Sequence, residues 1–183
     1  MTIKPKIISI AAVSGEGKTT ITKKLGGRLQ NSKKLFFDEY DFENSPEDLI
    51  KWVEEGADYD QWNLEPLLSD IQFLLNSYEV PSYILLDYPF AYKNTSMQNI
   101  IDLSIYIDTP LDIAMVRRLL RDYTNNPITD IHNDLKFYLN YGRIAYLEME
   151  TTIKTNSDII INGTLSSDKI VELIIQEMRN KGL

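Results

Sequence analysis

The sequence predicts an α/β fold in which a five-stranded parallel sheet carries helices on both faces. Two observations support this prediction. Short apolar runs alternate along the chain with segments of helical periodicity, which is typical of repeated strand–helix units. The apolar runs are rich in Ile and Leu and lack polar alternation, as expected for strands that are buried on both faces.

The elements follow one another in a regular order. In chain order the predicted strands are Lys6–Ala12, Lys34–Phe37, Tyr83–Leu86, Leu103–Ile107 and Asp158–Ile161. The predicted helices run from Lys18 to about Gln30, from Ser45 onward, from Leu64 to Ser77, from Leu111 to about Asp122, from about Thr129 to Met149, and from Ser167 to near Gly182. Most of their apolar stripes should belong to the core, because burial of such a face keeps a helix folded.

Local signals support three of these helices in particular. The segment 45–48, Ser-Pro-Glu-Asp, combines a capping Ser, a Pro at the first helical position and acids in the first turn. Between Leu64 and Ser77 the apolar residues recur at the spacing of one helix face. In the long segment, one stripe is formed by Ile131, Leu135, Tyr138, Gly142 and Ala145.

Composition limits the classes of protein to consider. A chain of 183 residues suits a single domain, 1–183. The net charge of −8 disfavours a nucleic-acid partner, and the absence of cysteine excludes disulfides and thiolate metal sites. No stretch approaches the roughly 20 apolar residues of a membrane span. The run Ile7–Val13 imitates a signal peptide, but a functional motif follows it directly, so we expect a cytoplasmic protein with no membrane partner.

That motif is the turn after the first strand. The segment Ala12–Thr19 fits the phosphate-loop pattern, with Ala where the first Gly usually stands. Gly15 and Gly17 allow the backbone to turn its N–H groups toward a di- or triphosphate. Lys18 would supply a charge for the β and γ phosphates, and the Thr19 hydroxyl would ligate Mg²⁺. The strand before the turn and the helix after it are the confirming context.

The loop therefore predicts a site for ATP and Mg²⁺. The residues expected to hold the phosphates are Ser14, Gly15, Glu16, Gly17, Lys18, Thr19 and Thr20. The Glu16 side chain is expected to point to solvent while its N–H group donates to a phosphate. Ala12 in place of the usual Gly should cost little stability if its φ angle is negative.

Acidic residues follow two of the strands. Asp38, Glu39 and Asp41 come just after the second strand, and Asp87 comes after the third. Because ligands of open parallel sheets lie beyond the carboxyl ends of the strands, these acids should converge near the transferred phosphate. One would orient the acceptor hydroxyl and accept its proton, and another would hold Mg²⁺. Equally, Asp38 and Asp41 could simply cap or turn the chain.

The chain resembles the uridine kinase-like branch of the P-loop kinases. The resemblance rests on VSGEGKTTITKKL, FFDEYDF, DLSIYIDTPLDIAMVRRLLRD and DIIINGTLS, in this order. It implies a P-loop NTPase fold with an Arg-rich lid helix, the role of base for Asp38, and a loop past the adenine at Asn162, Gly163 and Thr164. The family's phosphate loop usually reads Ser-Gly-Ser-Gly-Lys-Thr-Thr.

Two departures concern the acceptor. The family's third strand usually ends in an acid followed by Gly, whereas Tyr88 and Pro89 follow Asp87 here, and Asp41 stands where the family often has Tyr. Both positions border the acceptor region, about 38–66, so the nucleoside substrate does not carry over directly. The candidate acceptor-binding residues are Asp38, Tyr40, Asp41, Trp62, Asp87 and Tyr88, and the candidate metal ligands are Thr19 and Asp87.

The Arg-rich segment predicts a lid at about 117–130. Arg117 and Arg121 are four residues apart and share a helix face, while Arg118 points elsewhere. Two guanidinium groups there would offset the charge of the transition state, and Arg117 would also contact the nucleotide. The alternative is a solvated helix face whose arginines pair with Asp112 or Asp122. His132 is expected on the surface.

The leading hypothesis is an ATP-dependent phosphotransferase that acts on a hydroxyl of a nucleoside, sugar or vitamin-like acceptor, with Lys18, Asp38, Arg117 and Arg121 as catalytic residues. A second hypothesis is a nucleoside monophosphate or shikimate-type kinase. It would need basic residues near the acceptor, and 38–66 contains only Lys51. A third is a regulatory nucleotide-binding protein, although no Asn-Lys-x-Asp motif of a switch GTPase occurs. The acceptor, the choice between ATP and GTP, and the oligomeric state stay open.

Overall fold

The computed structural model describes residues 4–183. Among these residues five parallel strands form one sheet in the order β2-β3-β1-β4-β5. The strands are β1 Lys6–Ala11, β2 Ser32–Phe36, β3 Tyr83–Asp87, β4 Leu103–Asp108 and β5 Ile159–Asn162. The five-stranded parallel sheet is confirmed, with strand ends that differ from the prediction by one or two residues. The predicted domain also includes 1–3, which lie outside the described residues.

Seven α-helices connect and cover the strands within the same residues. They are α1 Lys18–Arg28, α2 Leu49–Glu54, α3 Glu65–Leu75, α4 Leu111–Asp122, α5 Ile128–Phe137, α6 Arg143–Thr155 and α7 Ser167–Asn180. Short 3₁₀ turns lie at Phe37–Glu39 and Tyr59–Gln61, and a π-helical segment, Tyr138–Gly142, joins α5 to α6. No helix in 4–183 combines the length and the hydropathy that a membrane crossing requires.

The start of α2 differs from the prediction. The sequence predicted Ser45 as the cap, whereas α2 begins at Leu49 and Asp48 is its cap. The Asp48 carboxylate accepts from the N–H groups of Ile50 and Lys51 at 2.9 and 3.1 Å. A carboxylate that satisfies two free N–H groups of the first turn fixes the helix start more strongly than the earlier Ser and Pro do.

The long segment after the Arg-rich helix is also modified. The single helix predicted from about Thr129 to Met149 is divided by the π-helical segment and extends to Thr155. None of the residues of α5 is buried, whereas Ala145 and Ile153 on α6 are. The predicted stripe is therefore core only in its C-terminal part.

The three inner strands, β1, β3 and β4, are buried on both faces, as predicted, whereas the edge strands β2 and β5 are mostly half-buried or exposed. Side chains of alternate residues point to opposite faces, so neighbouring residues of β1 enter different clusters. Ile7 packs with α3 and with aromatic residues of 52–90, whereas Ile8 packs with α1 and α7. The parallel direction brings the carboxyl ends of all five strands to one edge, where the phosphate-loop sequence lies.

Candidate active site

The phosphate loop connects β1 to α1. Gly15 and Gly17 have φ values of 92° and 97°, the left-handed region that favours glycine. Gly15 is also needed for space, because a Cβ atom there would lie 2.1 Å from the carbonyl oxygen of Ala114 on α4. Ala12 is not among the positive-φ residues. The substitution of the first Gly is therefore tolerated, as the sequence predicts.

Three side chains meet at the loop. The ammonium group of Lys18 forms an ion pair with the carboxylate of Asp87, and the Thr19 hydroxyl donates to Oδ2 of Asp87 at 2.6 Å. Asp87 is the last residue of β3 and pairs in register with Ile10 of β1. This register places the carboxylate directly beside the start of α1. The structure thus brings together the candidate phosphate-binding Lys and both candidate metal ligands.

These oxygen donors suit Mg²⁺. Mg²⁺ is usually held by one or two protein oxygen groups together with substrate phosphates and waters, not by a full protein cage. Thr19 and Asp87 provide such a partial set. No group of three or more His, Cys, Asp or Glu that could hold a metal occurs in residues 4–183. Metal binding by these two residues stays a prediction.

The orientation predicted for Glu16 is wrong. Its side chain does not point to solvent but is only 1% exposed. Its carboxylate accepts from the N–H groups of Val13 at 2.7 Å and of Thr109 at 3.2 Å. Desolvation by burial raises the pKa of Glu16 to about 7, although both backbone hydrogen bonds act in the opposite direction. The side chain turns inward because two buried N–H groups need an acceptor there.

A cleft of about 870 Å³ opens beside the loop. It is lined by 12–15 and 17–20, by Asp38 in the 3₁₀ turn after β2, and by Arg121 of α4. Asp38 is exposed, so its carboxylate is accessible from the cleft. The phosphate loop, the candidate base Asp38 and the candidate lid residue Arg121 therefore line the same cleft.

The candidate acceptor-binding residues are divided. Trp62 lines the cleft, whereas Tyr40, Asp41 and Tyr88 are not among its lining residues. The Tyr40 hydroxyl donates to Asp70 at 2.7 Å, and Asp41 is exposed. Tyr88 is fully buried and packs against core aromatics, so it contributes no cleft surface.

Sequence reasoning missed several residues of the cleft wall. They are Phe37, Pro46, Glu47, Leu49, Phe90, Asp122, Ala145 and Met149. The only signal for them was the aromatic density around the acceptor region, and that signal did not separate Tyr88 from Phe90.

A second cavity of about 440 Å³ lies on the other side of the loop. Glu16, Gly17 and Thr20 line it together with Arg117 and the segment 163–167. Gly163 and Thr164, which are predicted to contact the adenine, both line this cavity, and base binding there stays a prediction. Asn162 is not among the lining residues, and its amide oxygen instead accepts from the N–H and the hydroxyl of Thr164 at 2.9 and 2.7 Å.

Arg117 and Arg121 of α4 line two different cavities. Nη1 of Arg117 donates to the carbonyl oxygen of Gly163 at 3.1 Å, beside the second cavity. Arg121 lines the large cleft and pairs with Asp122, with Nε and Oδ1 2.6 Å apart. Because the two side chains line different cavities, a joint contact of both with the γ phosphate stays a prediction. Arg118 points elsewhere, as predicted, and pairs with Asp134.

Comparison with known proteins agrees with this geometry. No family model matches the chain. The uridine kinase of Macrococcus caseolyticus is 26% identical over 203 residues, which cover 97% of each chain. The uridine kinase of Anoxybacillus flavithermus is 26% identical over 96% of this chain and 94% of its own. The chain is homologous to the uridine kinases. The resemblance that the motifs indicated is thereby confirmed, and with it the class of enzyme, a kinase.

Solved structures show that the fold is that of the P-loop kinases. A deoxyadenosine kinase from M. mycoides has a TM-score of 0.55 at 16% identity, over 95% of this chain and 99% of that chain. A possible uridine kinase from Bacillus stearothermophilus has a TM-score of 0.53 at 14% identity, over 88% and 91%. The shikimate kinase of Aquifex aeolicus has a TM-score of 0.53 at 16% identity, over 97% and 98%.

Proposed function

We propose that the protein transfers the γ-phosphoryl group of ATP to a hydroxyl of a small, uncharged acceptor such as a nucleoside, a sugar or a vitamin-like alcohol. The observation that carries the proposal is the large cleft, which is lined at once by Lys18, Thr19, Asp38 and Arg121. Phosphoryl transfer needs little covalent chemistry from the protein, so positioned charges and N–H groups supply most of the catalysis.

The donor would occupy the loop. Backbone N–H groups of the loop and the N-terminus of α1 favour the anionic phosphates, and Lys18 adds a positive charge. The base of the nucleotide would extend into the second cavity, beside Arg117 and Gly163. Thr19 and Asp87 would hold Mg²⁺, which when bound neutralises charge on the phosphates.

The acceptor hydroxyl would face Asp38. A carboxylate at this place can orient the hydroxyl and accept its proton as the phosphoryl group transfers. Arg121 lines the same cleft, where a guanidinium group stabilises the negative charge that spreads over the transferred phosphoryl. The charge of Arg121 is already balanced by Asp122 in this structure, so the pair must separate, or act as a unit, when the acceptor binds.

The cleft wall favours an acceptor without negative charge. Trp52, Trp62 and Phe90 line the cleft but are at most 8% exposed, so they make its inner wall apolar. Among residues 4–183, the basic side chains that line the cleft are Lys18 and Arg121. Lys51 is not a lining residue, and its Nζ atom lies 3.7 Å from Oε1 of Glu55. An acceptor phosphate or carboxylate would meet Asp38, Glu47 and Asp122, which disfavours a nucleoside monophosphate or a shikimate-like acid.

A screen of alcohols tests the proposal. The protein is incubated with ATP, Mg²⁺ and single candidates from a panel of nucleosides, sugars, vitamin alcohols, nucleoside monophosphates and shikimate. ADP release that depends on the acceptor is measured, with Asp38→Asn as the matched control. We expect turnover with a neutral alcohol and little with the acids. Turnover only with a monophosphate or shikimate would favour the second hypothesis, and ATP binding without any acceptor-dependent ADP release would favour a regulatory protein.

A further inference from the structure

Glu16 occupies the phosphate loop but faces away from the phosphate side. Its two carboxylate oxygens accept from different parts of the chain, Oε2 from the Val13 N–H group and Oε1 from the Thr109 N–H group. Val13 belongs to the loop itself. Thr109 follows β4 and stands two residues before α4 begins. The side chain therefore links the loop to the segment that leads into the arginine-bearing helix.

The surrounding contacts are close enough to transmit a displacement. A Cβ atom on Gly15 would overlap the carbonyl oxygen of Ala114 on α4, so loop and helix are already in contact. A Cβ atom on Gly163 would lie 2.0 Å from the Thr109 hydroxyl oxygen. The carboxylate of Glu16 thus lies where the loop, the start of α4 and the segment after β5 meet.

We propose that Glu16 is a positioning residue that ties the phosphate loop to the start of α4. Through this link the N–H groups that bind the phosphates keep a fixed relation to Arg117 and Arg121. The inference rests on the proposed function, since it assumes that the loop binds ATP. A shorter side chain such as Ser at this position could not span the two N–H groups that Glu16 joins.

The chemical cost of the arrangement supports a role beyond folding. The Glu16 carboxylate is only 1% exposed, and burying a negative charge in a loop that binds anions costs stability. The Tyr106 hydroxyl and the Asp108 carboxylate lie beside it, and Asp108 is paired with Lys154 at 2.7 Å. Burial raises the pKa of Glu16, so keeping its carboxylate charged lowers the free energy of unfolding. Costly buried charges of this kind concentrate at functional sites.

Three variants test the link. Glu16→Ser removes both contacts, and Glu16→Gln keeps the size but turns an NH₂ group toward one of the two N–H donors. The control is Asp102→Asn, because the Asp102 carboxylate accepts from the N–H group of Ile7 at 2.8 Å at the other end of β1. Binding of ATP with Mg²⁺ is measured by calorimetry, and kcat with the accepted alcohol, at a temperature where circular dichroism shows each variant folded.

We expect Glu16→Ser to raise the Kd for ATP about tenfold or more and to lower kcat at saturating ATP, because ATP binding must then restore the loop position that the two hydrogen bonds hold in the wild type. Glu16→Gln should change both values in the same direction by less, and it carries the test alone if the Ser variant does not fold. Asp102→Asn should lower only the melting temperature.

The outcomes separate the two proposals. If wild type binds ATP and both Glu16 variants match its Kd and kcat, the positioning role is overturned and Glu16 is merely structural, even if their melting temperatures fall. If wild type binds no ATP, the proposed function is overturned together with the link. Weaker ATP binding and a lower kcat in both variants, with Asp102→Asn unchanged, support the positioning role.

Discussion

The Thr19 hydroxyl donates a hydrogen bond to Oδ2 of Asp87 across 2.6 Å, while Lys18 pairs with the other oxygen of the same carboxylate. Asp87 is 3% exposed, so these two partners offset the cost of burying its carboxylate. Both partners are also the groups expected to contact Mg²⁺ and the phosphates. Nucleotide binding must therefore redistribute the contacts of Asp87, and this exchange can be measured.

Replacement of Asp87 should change the requirement for the metal. Asp87→Asn removes a negative ligand, so we expect the Mg²⁺ concentration for half-maximal ATP binding to rise about tenfold or more. A titration of Mg²⁺ at fixed ATP, followed by calorimetry, measures it. Asp41→Asn is the control, because Asp41 is exposed and is not a lining residue of the cleft. An unchanged Mg²⁺ requirement would remove Asp87 from the metal site.

Replacement of Lys18 should affect both turnover and stability. Lys18→Met leaves the buried Asp87 carboxylate without its cation, which we expect to cost up to about 3 kcal/mol of unfolding free energy. Adding Asp87→Asn should restore most of that stability but not the turnover. Denaturant unfolding and kcat of the single and double variants test this. Recovery of turnover in the double variant would show that Lys18 only balances a charge.

Asp38 should act in the chemical step. Asp38→Asn keeps the size and removes the charge, so kcat should fall about 10²- to 10⁴-fold with ATP affinity retained. Stability should change little, because Asp38 is exposed. Asp41→Asn, three residues along the chain, should leave kcat unchanged. If the two variants behave alike, Asp38 is not the base.

The two arginines should have separable effects. Arg117 lies beside the second cavity, so Arg117→Ala should mainly raise the KM for ATP. Arg121 lines the large cleft, so Arg121→Ala should mainly lower kcat, by up to roughly 10³-fold if it stabilises the transition state. Arg118→Ala is the control and should reduce stability alone, since Arg118 pairs with Asp134. Steady-state kinetics with varied ATP distinguish these patterns, and identical effects of Arg117→Ala and Arg121→Ala would contradict the assignment.

Glu16 predicts a pH dependence of stability. Its pKa rises from 4.5 in the unfolded chain to about 7 in the fold, so the folded state binds the proton more tightly. Between these values the unfolding free energy should fall as pH rises, by about 3 kcal/mol in total at 1.36 kcal/mol per pKa unit, and should then level off. Glu16→Gln should lack this decline. Denaturant unfolding at about pH 5 and pH 8 compares the two proteins, and parallel profiles would show that Glu16 titrates normally.

The sheet and the phosphate loop were predictable because their signals are local. Apolar runs and a Gly-rich turn between a strand and a helix lie within a few residues of one another. The direction of Glu16 was not predictable, since one of its partners, Thr109, is 93 residues away. The same holds after β3, where Tyr88 and Phe90 are both buried but only Phe90 is also a lining residue of the cleft. The bend of the chain at the edge of the sheet determines which of these side chains reaches the cleft. The hydrophobic periodicity of the sequence does not predict that bend.

The lack of burial in α5 has a kinetic consequence. Because no residue of Ile128–Phe137 is buried, the helix is attached mainly through its neighbours and through the pair of Asp134 with Arg118. Its amide protons should exchange with solvent through local opening at low free energy, whereas those of β1, in the middle of the sheet, should exchange only when the whole molecule unfolds. A limiting amount of protease should accordingly cut the chain first between α4 and α6.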